Sequence, residues 1–171
     1  PRSPVPGALA RGSSTLGIIY FTRHFRLLPS VEEPRARAPG TGDLGFLKFG
    51  LFPGDNGCFS ITICVPEVEL ELRKAMVNPE VFQAVCARIP GLVPWIDPAV
   101  SEGVGRVYGM GELNSRWRDL AVEGAPSVLG YFAVGDNLIR TNPLYGRGCS
   151  FAAVGAYLLR DVLVSTEDSG Q

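Results

Sequence analysis

Near the end of the chain, Gly135-Asp136 is followed by Pro143, Gly146 and Gly148, which stand seven, ten and twelve residues after the aspartate. These residue types suit a polar, partly anionic ligand. An aspartate where a buried strand ends can accept a hydrogen bond from a sugar hydroxyl, and glycines just ahead of a helix let backbone N–H groups approach an anion at the positive end of the helix dipole. On a Gly-Asp pair alone, the better reading is a strand-ending turn in which Asp136 caps local amides. The further matches at Pro143, Gly146 and Gly148 turn the balance toward ligand binding.

Other familiar chemistry is not spelled out. Cys58, Cys64, Cys86 and Cys149 form no CxxC pair, and the single histidine, His24, has no second imidazole, so neither a zinc site nor a disulfide framework is expected. The thiols are expected to be reduced and mostly buried. Gly103-Val104-Gly105-Arg106-Val107-Tyr108 imitates a dinucleotide fingerprint, but its sixth position is tyrosine and no helix with a buried stripe follows. Arg23, His24 and Arg26 are candidates to face an anionic substrate, but a solvated strand face accounts for them as well and is the better reading for each. Tyr20, Phe49, Phe59 and Tyr108 are candidates to line a cavity, or plain core, as are Trp95 and Trp117.

Composition sets wider limits. At 171 residues, with 46% hydrophobic and 19% charged side chains, the chain reads as a folded globular domain. Its 16 basic and 17 acidic residues are spread evenly, which leaves no basic field for nucleic acid. No uninterrupted apolar run approaches the roughly 18 to 20 residues of a bilayer-crossing helix. The start, PRSPVPGALARGSS, lacks the pattern of a secretion signal, so a cytoplasmic protein is expected. A chain that opens at Pro1 without methionine reads as an excerpt.

The elements that must position the Gly-Asp loop follow from periodicity. GIIYFTRHFRLL, from Gly17 to Leu28, reads as a strand, and Pro29 to Gly45 as an exposed loop. Phe46 to Phe52 and Cys58 to Val65 read as a hairpin across Pro53-Gly54-Asp55-Asn56-Gly57, with Phe59, Ile61, Ile63 and Val65 on the packed face. A first helix is expected from the spacing of Val68, Leu72 and Met76. A second is expected to open at Asn78-Pro79, with Phe82, Val85, Cys86 and Ile89 as its stripe. Val104 to Leu120 is strand-like, with Gly109 and Gly111 permitting a bend. SVLGYFAVGD is expected to be an apolar strand, NLIRTNPLYGRG a loop, and CSFAAVGAYLLRDVLV a helix burying Phe151, Val154, Leu158 and Val162.

The segment GDNLIRTNPLYGRG resembles the second FAD motif of the para-hydroxybenzoate hydroxylase-like flavoproteins, a superfamily that includes aromatic hydroxylases, halogenases and geranylgeranyl reductases. The upstream order of strand, hairpin, helices and glycine-flanked strand is similar to it across nearly the whole chain. The resemblance implies FAD as cofactor, with NAD(P)H as a candidate electron donor. Gly135 and Asp136 would bind the ribityl or ribose hydroxyls, and Pro143, Leu144, Gly146, Arg147 and Gly148 would line the flavin ring. Arg140 and Arg147 would meet phosphate or ring oxygens, or remain surface charges. The sequence departs from members that continue Gly-Asp with Ala-Ala-His, having Asn137, Leu138 and Ile139 instead, and it carries Ser150 where those members place asparagine. That argues against the aromatic hydroxylase branch.

The expected fold class is therefore α+β. Residues 1–125 would form a largely antiparallel substrate-binding sheet with flanking helices. Residues 126–171 would be a terminal strand-loop-helix of an incomplete, Rossmann-like FAD domain, whose pyrophosphate-gripping N-terminal half lies outside this chain. The implied activity is that of a monooxygenase-like oxidoreductase acting on a small organic substrate, aromatic or isoprenoid-like. No side chain is identified as the catalytic acid or base. Two rivals remain: a free-standing small-ligand binding or interaction domain, and a flavoprotein remnant without activity.

Overall fold

The β-branched and aromatic runs become strands wherever a neighbouring run can pair with them. The computed structural model describes residues 10–14, 17–35, 38–113, 115–122, 125–126 and 128–168. In chain order these form β1 (Ala10–Ser14), β2 (Ile18–Leu27), β3 (Thr41–Asp43), β4 (Lys48–Pro53) and β5 (Cys58–Pro66). Helices α1 (Leu70–Met76) and α2 (Pro79–Cys86) follow, then β6 (Ser101–Met110), β7 (Ser115–Arg118), β8 (Ala121–Val122), β9 (Ala125–Pro126), β10 (Ile139–Arg140) and α3 (Gly148–Asp168). The chain divides into one unit spanning Gly17–Gly111 and another made of Pro1–Leu16 with Glu112–Gln171.

The Gly17–Gly111 unit is an antiparallel sheet in the order β3-β4-β5-β2-β6. Period-two alternation on β5 buries Phe59, Ile61, Ile63 and Val65 beneath the helices. From β2, Phe21 and Phe25 join the same layer, and the Phe25 ring stacks on Phe59 at 5.2 Å between centroids. Met76 of α1, Phe82 and Cys86 of α2, and then Ile89, Leu92 and Trp95 close the core from the other side. Each large apolar side chain buried in this way stabilises the fold by about 1.5–3 kcal/mol.

Local signals agree with this packing. Asn78 caps α2 by accepting a 2.8 Å hydrogen bond from the Glu80 N–H, and Pro79 occupies the first turn. The β4–β5 turn places Asn56 and Gly57 at φ 57° and 68°, the left-handed region that those two residues tolerate. Gly91 meets the loop before β3 so closely that a Cβ there would stand 1.9 Å from the Pro39 carbonyl oxygen. In β6 the register with β2 slips between Thr22 and His24, a bulge that contains Gly105 at φ 68°. The expected first-helix stripe shortens to Leu72 and Met76, because Val68 precedes α1 and is exposed.

In the other unit, β7 pairs with β1 on one side and β10 on the other, and β8 pairs with β9, all antiparallel. Two expectations are corrected here. Val128 to Val134, read as a strand, is a bend, a turn and irregular chain, with Leu129 86% exposed. No described strand lies alongside to take its backbone hydrogen bonds, and apolar content cannot supply a partner. The helix forms as expected, but Phe151, Val154, Leu158 and Val162 are exposed, since no second layer covers them.

The α+β class stands, whereas the described strand pairings include no parallel sheet of Rossmann type. By length and composition alone, α3 is long and apolar enough over Gly148–Ser165 to cross a membrane, with a mean hydropathy of 1.3, and Arg160 and Asp161, which pair with each other, interrupt the apolar run within that window.

Candidate functional site

Two short 3-10 turns and the start of α3 build the Gly-Asp loop. Gly135 takes φ 59° at the head of the first turn, Gly135–Asn137, and its carbonyl accepts the Leu138 N–H at 2.9 Å. The chain then runs into β10, held by Arg118 of β7, whose backbone N–H donates to the Leu138 carbonyl at 2.9 Å. The Arg118 guanidinium also donates to the Asn137 carbonyl at 3.1 Å. Asn142 opens the second turn, Pro143–Tyr145, by accepting the Leu144 N–H on Oδ1 at 2.9 Å. This Asn142-Pro143 cap repeats the device at Asn78-Pro79 and is a local signal by which the turn is legible in the sequence. Gly146 follows at φ 61°, and α3 starts two residues later at Gly148.

This arrangement brings three of the expected site residues together. A Cβ on Gly148 would lie 3.6 Å from Asp136 Oδ1, and one on Gly135 would lie 3.0 Å from the Ala152 Cβ. The Gly-Asp turn therefore rests against the first turn of α3. Asp136 is exposed and forms no hydrogen bond or ion pair among the described residues, so its carboxylate oxygens are open acceptors beside the positive end of a 21-residue helix. The space where a Gly146 side chain would sit holds no atom within 4 Å. Pro143 and Arg147 are exposed and Leu144 is half-buried. These three frame the loop through the backbone, while their side chains do not converge on Asp136 through any described contact.

In the sheet unit, alternation sorts the polar candidates onto opposite faces. Arg23 shares the helix-covered side with Phe21 and Phe25. His24 and Arg26 are on the open side, both exposed. There the His24 ring meets Tyr108 edge-on at 6.1 Å, Arg106 lies 5.1 Å from the Tyr108 ring centre, and the Thr22 and Thr62 hydroxyls are 2.8 Å apart. Phe52, Val104 and Met110 are also exposed. Phe59, by contrast, is core, and Phe49 packs partly against it. Trp95 is buried and Trp117 is exposed.

Burial pushes two thiols up, Cys64 to about 11 and Cys86 to about 12, which keeps both protonated at neutral pH. Among the described residues, no three histidine, cysteine or acidic side chains gather as a metal site.

No protein-family profile matches the sequence, and no curated protein matches it. Solved structures do match in fold. The flavin-dependent brominase Bmp2 aligns over 84% of this chain and 35% of its own, with a TM-score of 0.55 and 18% identity. CmlS, a flavin-dependent halogenase, aligns over 81% of this chain and 24% of its own, with a TM-score of 0.52 and 16% identity. The chain thus spans about a quarter to a third of the structures it matches. Its fold therefore corresponds to part of the fold of these flavin-dependent halogenases.

Proposed function

We propose that this chain is the C-terminal portion of an FAD-dependent, monooxygenase-like oxidoreductase that acts on a small organic substrate. The observation that carries the reading is the unpartnered Asp136 carboxylate beside the glycine-framed start of α3, in a chain with the fold of flavin-dependent halogenases. FAD fits these residues. Asp136 offers open acceptors for the hydroxyls of its sugar chain, and the empty space at Gly146 lets a ring approach the backbone. The start of α3 favours negative charge on whatever lies at it, by about 0.3 to 2 kcal/mol. FAD would supply the redox chemistry when bound, with NAD(P)H the proposed electron donor.

The division of labour follows the two units. The Gly17–Gly111 sheet would hold the substrate on its open, aromatic and hydroxyl-bearing face. The loop-helix unit would hold the cofactor together with an N-terminal half outside this chain. Exposed Leu129, Tyr131, Phe132 and Val134, with the apolar residues of α3, offer a surface for that half to cover. The same exposure disfavours a free-standing binding domain, which would bury it. The proposed location is the cytoplasm.

The test is turnover by the protein extended to its native N-terminus. It should purify yellow with bound flavin and consume oxygen when given NAD(P)H and a small aromatic or isoprenoid substrate. A protein that stays colourless after incubation with FAD would overturn the reading.

A further inference from the structure

The helix-covered side of the sheet holds one charge that the packing of the core does not explain. Arg23 lies between Phe21 and Phe25 on that face, with its guanidinium carbon 5.4 Å from the Phe25 ring centre. Nη1 donates to the Pro79 carbonyl at 3.3 Å and to Gln83 Oε1 at 3.4 Å, both at the long end of hydrogen bonding. Nε is buried and has no partner. Nη2 has no protein partner either. Gly103 on β6 makes room for the group: a Cβ there would stand 2.4 Å from Nη2 and 2.9 Å from Nε.

Among the described residues, Arg23 forms no ion pair. A half-buried guanidinium with unmade donors is unfavourable, since each buried donor left unpaired costs about 1–3 kcal/mol. The group borders an open groove of about 450 Å³ lined by Pro79, Glu80, Gln83, Ala84 and Ala87, all within the sheet unit. That volume suits a small molecule. One wall is apolar, one end is cationic, and Glu80 supplies a negative charge at the exposed rim.

We propose that the groove along α2 beside Arg23 is a second ligand site, which takes a small monocarboxylate with an apolar body. The carboxylate pairs with Nη2 of Arg23 and, on a small tilt of the guanidinium away from Gly103, with Nε. This is the two-pronged geometry that guanidinium and carboxylate share. The hydrocarbon lies against Pro79, Ala84 and Ala87. Glu80 selects against a second carboxylate by like-charge repulsion.

The experiment follows the arginine Nε–H resonances of the whole protein by NMR at constant ionic strength, with cyclohexanecarboxylate as the probe. The Arg23 signal, assigned by its loss in Arg23→Gln, should move saturably with the probe and stay still with cyclohexylmethanol, chloride or succinate. Gly103→Ala keeps the charge but puts a methyl beside Nη2 and Nε, in the space that the carboxylate needs once the guanidinium has tilted, and it should weaken the probe by about tenfold without unfolding the sheet, the equivalent of about 1.4 kcal/mol. Glu80→Gln should let succinate bind. The proposal is overturned if the Arg23 signal does not saturate, if chloride or the alcohol moves it equally, or if Gly103→Ala binds as well as the parent. It is also overturned if Glu80→Gln alone shifts the signal as the probe does, because Arg23 would then already have its counter-ion in Glu80.

Discussion

Asp136 stands as an open carboxylate where most exposed acids near a helix start would cap an amide, and this singles it out. Asp136→Ala should leave folding within about 0.5 kcal/mol, because the side chain has no partner to lose. It should weaken FAD binding to the N-terminally extended protein by roughly 10- to 100-fold, the worth of a hydrogen bond to a charged group. Fluorescence titration measures the loss, and unchanged affinity would remove Asp136 from the site. The thiols give a second prediction. Cys149 is exposed and should react with a thiol reagent in the native protein, whereas Cys64 and Cys86 should react only on unfolding. Their folded values, about 11 and about 12, lie above the unfolded value of 9.0, so they disfavour the thiolate in the native state. The stability this confers is complete below pH 9 and falls as the pH rises from there toward the folded values. A denaturation midpoint that stays flat from pH 9 upward in Cys64→Ser/Cys86→Ser, but falls in the parent, would carry the assignment.

Among the elements, those stabilised by neighbours within the chain were legible and the rest were not. Alternation in GCFSITICV gave the buried face of β5 because β2 and β4 flank it, and Asn78-Pro79 marked α2 because a cap is written in local residue types. Apolar content in SVLGYFAVGD says only that the segment needs cover, not that cover is present, and Val128 to Val134 are largely exposed irregular chain and turn. The same applies to α3, whose helical spacing was correct and whose burial was not. Leu158→Ser should therefore change the stability of this chain by less than about 0.5 kcal/mol, yet impair flavin retention by the extended protein. Equal loss in both would mean that α3 is already packed. Arg23 became informative only in three dimensions, because the glycine that accommodates it is eighty residues away on β6. Gly91→Ala should destabilise the sheet unit by about 1–3 kcal/mol, since backbone at Pro39 blocks the added methyl. Denaturant unfolding monitored by Trp95 reads that loss.

At the scale of the molecule, we propose that a cofactor is shared between the loop-helix unit and a partner half that carries the pyrophosphate grip. A single loop supplying one carboxylate and one helix start offers few contacts, and a dinucleotide held by the usual glycine-rich turn gains much of its affinity there. The exposed apolar surface of Leu129, Phe132 and α3 is the complementary part of the same account. The most direct measurement is flavin retention, by visible absorbance after gel filtration, on residues 1–171 alone and on the protein extended to its native N-terminus. We expect no bound flavin on the first and near-stoichiometric flavin on the second, and an extended protein that binds none would contradict a shared cofactor site.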